Sequence, residues 1–194
     1  MFLVEQRISV SFAKVDLASG NQLEPEFLLR NPVGQVPVLE LADGTCLAES
    51  VTICRYLEQC QGCPKSLFGD SPLEVARVDM WQRRVEQGLL LPAIALGHHS
   101  APLFRKRVQQ CQEVAALQRA RIRSFWPVLE HGLSERCYLA LERFSYADIT
   151  GLCAVEVAAL FHEPPPPDMK RILAWHELLS ARPSASVMRY GRWR

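Results

Sequence analysis

The run Asn31-Pro32-Val33-Gly34-Gln35-Val36-Pro37-Val38-Leu39 sets the tightest limit on how this chain folds, because Pro37 falls among apolar strand residues. A proline has no N–H to give a central ladder, so a strand over Val36–Leu41 belongs at an edge. The Val36–Pro37 bond is either an ordinary trans peptide or a cis bond at that edge, which turns the backbone of Val36 outward. An outward N–H and C=O can take an extended peptide by strand addition. Ten residues beyond Leu39, Glu49-Ser50 falls at a strand-to-helix junction. The helix N-terminus there offers free N–H groups and positive dipole to a carboxylate. Ser50 adds a hydroxyl and Glu49 takes an ammonium, so one α-amino acid head group satisfies the whole set. The alternative is that Ser50 is simply a helix cap.

The first third of the chain reads as mixed α/β. Ile8-Ser9-Val10-Ser11-Phe12-Ala13-Lys14-Val15 alternates apolar and polar residues, which predicts a half-buried strand. Pro25 to Leu29 predicts a short helix, stopped where Asn31 precedes Pro32. Val36–Leu41 and Thr45–Ala48 are strands joined by an Asp43-Gly44 hairpin turn, and a helix then runs from Ser50 to about Gln59. Residues 61–72, with Gly62, Pro64, Gly69 and Pro72, form the linker. This gives a domain over 1–63 and a second over 72–194.

The second domain reads as all helix. Leu73, Ala76, Met80, Val85 and Leu89 keep helical spacing, with Pro92 a kink or break. Further helices are expected over Val108–Leu129, disturbed near Pro127, from Ser145 onward, and over Met169–Ala181. Pro164–Pro167 is an extended connection. Ser145-Tyr146-Ala147-Asp148 reads as a capping box, in which Asp148 reaches back to the Ser145 amide. Phe144 and Ile149 take the two staple positions around it. Ser145 and Asp148 are therefore assigned to folding, not catalysis.

Composition narrows the function classes. With 22 basic against 21 acidic residues and a net charge of +1, nucleic-acid binding is not the expected business. The basic end, Arg189, Arg192 and Arg194 around Trp193, reads as a solvated tail. Seven cysteines, an odd number scattered through apolar segments, suggest reduced, buried thiols in a cytoplasmic protein. The opening Met1–Arg7 has no basic leader, and no stretch approaches the ~18 apolar residues of a membrane span. Cys60-Gln61-Gly62-Cys63 has redox or metal spacing but follows a helix instead of opening one, so the cysteines read as incidental and no metal is expected. His98-His99 marks a helix end.

The order Asn31-Pro32, Gly34, Val36-Pro37, Leu39, then Asp43-Gly44, then Leu47, Glu49-Ser50 and Ile53 closely resembles the glutathione S-transferase family, its bacterial members in particular. Ile53-Cys54-Arg55-Tyr56-Leu57 continues the resemblance, which covers essentially the whole chain. The Ser145/Asp148 box is a second family mark, although Leu141-Glu142 stands where the family often has Gly-Asp. The resemblance implies a thioredoxin-like α/β N-terminal domain followed by an all-α C-terminal domain, in a homodimer. It implies glutathione as co-substrate and a small electrophile as second substrate. Val36 would pair by backbone with the cysteinyl part of glutathione, Gln35 would lie near its glycine end, and Glu49 and Ser50 would hold the γ-glutamyl head. Trp81, Arg84 and Glu86 are candidates to line the electrophile pocket or to be core and surface residues.

Phe2–Gln6 resembles the end of the family's first helix, so the first strand and most of that helix are expected to be missing. The turn between them carries the family's reactive serine, tyrosine or cysteine, and no catalytic residue is assigned here. Ser9 and Ser11 lie on the next strand and would substitute only after rearrangement. Without its neighbour the Ile8–Val15 strand is expected to slide into the gap or pair with a dimer partner, unless the true start lies upstream and supplies the missing strand. Two functions follow: a transferase conjugating or isomerising small electrophiles with glutathione if a catalytic N-terminal turn is present, or a non-catalytic binding and dimerisation module like those of translation elongation factor complexes.

Overall fold

The computed structural model describes residues 1–17, 19–63 and 65–187, so the basic tail at Arg189–Arg194 lies outside the described residues. The chain forms two compact units, Phe2–Pro64 and the region from Lys65 onward.

The first unit opens with a single helical turn, α1 (Phe2–Glu5), and continues to α2 (Pro25–Arg30). Pro25 sits in the first turn of α2, where its missing N–H costs nothing, and Asn31 leaves the helix at φ −145°, as a residue before proline must. Two short strands follow, β1 (Val38–Glu40) and β2 (Cys46–Ala48), then α3 (Ser50–Gln61). The strands are antiparallel, pairing Val38 with Ala48, Leu39 with Leu47 and Glu40 with Cys46. Their turn is held by Asp43, whose carboxylate accepts the Thr45 N–H at 2.9 Å, and by Gly44 at φ 84°. Phe2, Ile8, Phe27 and Ile53 are buried, and the Gln6 amide donates to the buried Glu58 carboxylate.

Two expectations are corrected here. Residues 8–15 form no strand: the one sheet among the described residues is the β1–β2 pair, which gives this segment no ladder partner. Alternation supplies two faces, but a strand also needs hydrogen bonds across to a neighbour, and Phe12 stands 84% exposed. The strand expected from Val36 begins instead at Val38, after the proline that cannot donate.

The second unit is helical. α4 (Pro72–Val85) starts at Ser71, whose hydroxyl accepts the Glu74 N–H. A π-type turn at Glu86–Leu90 then leads into α5 (Leu91–Ser100). Pro92 has no N–H and its ring crowds the preceding turn, which accounts for the widened turn just before it. α6 (Gln112–Gly132) carries Pro127 internally and begins later than Val108. The Gln110 amide donates to the carbonyls of His98 and Ala101, which keeps residues 108–111 out of the helix. α7 (Tyr146–Leu160) and α8 (Lys170–Ser180) complete the unit. Its core contains the fully buried Leu89, Leu96, Ile122, Trp126, Leu129, Leu152, Ile172 and Leu179. Each such leucine or isoleucine contributes about 1.5–3 kcal/mol relative to exposure. Arg123 grips the buried Glu163 through two bonds of 2.8 and 2.9 Å, tying α6 to the turn after α7.

The cysteines form no disulfide among the described residues and are not buried: Cys60 and Cys137 are exposed and the other five half-buried. Among the described residues no helix is long and apolar enough to cross a membrane.

Candidate functional site

The loop between α2 and β1 is organised by Asn31, which is 5% exposed. Its side-chain oxygen accepts the Val33 N–H at 3.2 Å, its amide donates to the Gln35 carbonyl at 2.8 Å, and its own carbonyl accepts the Gly34 N–H at 2.9 Å. Gly34 turns at φ 67°, where an added Cβ would meet Leu23 and the Gln22 carbonyl at 3.0 and 3.1 Å. The Val36–Pro37 peptide that follows is cis. Val36 is 41% exposed, and neither its N–H nor its C=O has a hydrogen-bond partner among the described residues. The Gln35 side chain is also exposed.

The register of the hairpin brings the two halves of the motif together. Because Val38 faces Ala48 in an antiparallel pair, Val36-Pro37 leave one strand at the end where Glu49-Ser50 leave the other. Facing residues in such a pair lie about 4.5–5.5 Å apart between Cα atoms. Glu49 sits at φ 68°, ψ 116°, a region that a side chain disfavours, and holds it as the residue preceding α3. It makes no capping bond with its side chain. Ser50 is the first residue of α3 and not its cap, which corrects the capping expectation: the sharp turn falls one residue earlier. Glu49 and Ser50 are both exposed. The first N–H groups of α3 therefore face outward beside an unpaired carboxylate and hydroxyl, an arrangement suited to a zwitterionic head group.

In the helical unit Ser145 and Asp148 form a reciprocal capping box. Asp148 is fully buried and accepts from the Ser145 N–H, the Ser145 hydroxyl, the Leu139 N–H and the Trp175 indole. Phe144 and Ile149 are both buried beside it. Glu86 pairs with Arg83 at 3.1 Å, while Trp81 and Arg84 line a cavity that Glu86 does not. Burial, then the Glu58 carboxylate, push the Cys63 thiol up, opposite to what a reactive thiol requires. Ser9 and Ser11 are exposed in the unpaired segment, and His98-His99 occupy the last turn of α5. Sequence reasoning missed Asn31 as the organiser of the loop, having read it only as a helix stop.

A small α/β domain with a two-stranded antiparallel sheet, followed by an all-helical domain, is the class that this order of elements gives, and comparison with known proteins identifies it as thioredoxin-like plus all-helical. The family described as "Glutathione S-transferase, N-terminal domain" matches residues 1–59, and "Glutathione S-transferase, C-terminal domain" matches 93–183. Glutathione S-transferase 2 of Saccharomyces cerevisiae is 36% identical over 182 residues, 93% of this chain and 78% of its own. The crystal structure of yeast Gtt2 superposes with a TM-score of 0.90 at 34% identity, covering 96% of this chain and 91% of that one. Elongation factor 1-gamma-A of Xenopus laevis is 30% identical over 131 residues, 68% of this chain but only 28% of its own length. The chain belongs to the glutathione S-transferase family.

Proposed function

We propose that this chain binds glutathione at the open end of the hairpin and acts as a cytoplasmic, homodimeric transferase on small electrophiles. The observation that carries the reading is Glu49, held at φ 68° against its preference, beside the uncapped start of α3 and across from the unpaired backbone of Val36. Strained backbone of this kind costs about 1–3 kcal/mol and persists where a function needs it. In the proposed complex the γ-glutamyl carboxylate meets the first N–H groups of α3 and the Ser50 hydroxyl. Glu49 takes the ammonium, Val36 pairs with the cysteinyl backbone, and Gln35 lies near the glycine end. In a conjugation the glutathione thiolate would then attack an electrophilic carbon, forming a C–S bond as the leaving group departs or the double bond shifts. No residue of this chain is assigned to thiol activation.

A second reading is favoured by the likeness to elongation factor 1-gamma-A: a glutathione-transferase-like module that acts by association without catalysis. Calorimetric titration of the chain with glutathione, beside Glu49→Ala, tests the common part of both. Saturable binding that Glu49→Ala abolishes is the expected result, and equal affinity in the two proteins defeats the site assignment. Glutathione-dependent consumption of an activated aryl chloride by the binding-competent chain then separates enzyme from module.

A further inference from the structure

From Gln87 to Gln112 the chain holds no aspartate or glutamate, although its 22 basic and 21 acidic residues nearly cancel overall. Three adjacent cations, Arg105, Lys106 and Arg107, fall inside that stretch, in the connection between α5 and α6. The connection closes on itself as a knob. At its neck the Gln110 amide donates to the carbonyls of His98 and Ala101 at 3.0 and 2.7 Å, and the Cys111 N–H donates to Nδ1 of His99 at 3.2 Å. At its tip the Phe104 carbonyl accepts the N–H groups of Arg107 and Val108, both at 2.9 Å. The Phe104 ring packs edge-on against His98, with centres 4.6 Å apart. Its neighbour Leu103 goes the other way and is 76% exposed, and Arg105, Lys106 and Arg107 are exposed with it. Neither Arg105 nor Lys106 has a carboxylate partner among the described residues. The nearest carboxylate along the chain, Glu113, accepts from the Cys111 thiol instead.

We propose that this knob docks the chain, peripherally and reversibly, on the anionic surface of a phospholipid bilayer. Leu103 enters the boundary between headgroups and acyl chains, while Arg105, Lys106 and Arg107 lie among the headgroup phosphates and carboxylates. One exposed leucine signifies nothing by itself. Held by an ordered turn next to three cations and no acid, it supplies the apolar and the electrostatic half of interfacial binding together. Each cation near an anionic surface strengthens binding about fivefold, so three make such a surface roughly a hundredfold better target than a neutral one. A nucleic acid would match the charge but not the leucine, and the one aromatic ring of the knob, Phe104, is engaged with His98 and offers bases no platform.

The test is sedimentation of the full chain, in low-salt buffer, with vesicles of phosphatidylcholine alone and of phosphatidylcholine mixed with phosphatidylserine. The expected result is saturable binding to the mixed vesicles that falls as salt is added and is far weaker on phosphatidylcholine alone. Arg105→Gln combined with Lys106→Gln should weaken it roughly twentyfold. Leu103→Ser should weaken it roughly fivefold with all charges in place, and Glu49→Ala should leave it unchanged. All three knob residues are exposed, and circular dichroism of each variant verifies its fold. No binding, equal binding to the two kinds of vesicle, or undiminished binding by either knob variant would overturn the proposal. So would tighter binding to polyuridylate that Leu103→Ser leaves intact, since that makes the knob a phosphate-backbone contact.

Discussion

The indole N–H of Trp175 in α8 donates to Oδ1 of Asp148 in α7 at 3.0 Å, a bond made entirely within the core. The same oxygen accepts the Leu139 N–H at 2.9 Å, while Oδ2 serves the Ser145 N–H and hydroxyl at 2.9 and 2.8 Å. Burial pushes the Asp148 carboxyl above its ordinary value, and these four bonds pull it back toward the ionised form. One side chain thus satisfies a loop, a helix start and a neighbouring helix.

Asp148→Ala strands three buried N–H donors, those of Leu139, Ser145 and Trp175. At about 1–3 kcal/mol for each unsatisfied group, the loss should reach about 3 kcal/mol or more. Trp175→Phe removes one donor and leaves Oδ1 with Leu139, so in hydrogen bonding alone it should cost only about 1 kcal/mol. Denaturant unfolding of both variants checks this, and an Asp148→Ala cost below that of Trp175→Phe would contradict the account.

Glu49→Gly separates stability from binding. Glycine, with no Cβ, tolerates φ 68° better than any residue with a side chain, whereas alanine keeps the Cβ conflict. Glu49→Gly should therefore be about 1 kcal/mol more stable than Glu49→Ala, less the flexibility glycine adds to the unfolded chain. Neither should bind glutathione. Thermal melting of the pair, read beside calorimetry, decides it, and equal melting temperatures would show that position 49 carries no backbone strain.

Asp70 gives the helical unit an acid-sensitive corner. Its carboxylate accepts the Ser66 N–H at 3.1 Å and an Arg143 N–H at 2.6 Å, and these hold it below its ordinary value of 3.8, the Ser66 bond most of all. A carboxyl depressed in the folded state binds fewer protons than in the unfolded one. Its contribution is therefore complete above the ordinary value and lost as pH falls through the depressed one. Asp70 is half exposed, so that contribution is at most about 1 kcal/mol. Wild type should melt above Asp70→Asn at pH 6, with the gap closing below pH 3.8. A gap that stays constant into acid would remove the ion pair from the explanation.

Local chemistry made much of this fold readable. Pro25, Pro32, Asp43-Gly44 and the Ser145/Asp148 box each act over a few residues, and each marks a boundary that the structure keeps. The segment from Ile8 to Val15 shows the limit, because its pattern is that of a strand while the pairing that makes a strand is not local. The same holds for Asn31, whose three bonds run within five residues yet depend on the loop's path, and for Trp175, which meets Asp148 only through packing of α7 and α8. At Glu49-Ser50 the residues could be singled out, but the positive φ that moves the cap from Ser50 to Glu49 is not written in composition.

The hairpin ladder runs through three residue pairs, extended toward the turn by the Leu41 N–H donating to the Thr45 carbonyl at 2.9 Å. A ribbon that short is marginal by itself and opens at a lower free energy than the core beneath it. Val36 and Glu49 emerge from opposite strands, so fraying at Val38 and Ala48 would pull apart the two jaws that the proposed ligand has to bridge. Ligand capture and ribbon closure then become one linked equilibrium, in which glutathione would slow amide exchange at Leu39 and Leu47 by latching the ribbon shut. The Asp43-Gly44 turn, at the far end of the ribbon from the proposed site, would then be a remote dial on affinity.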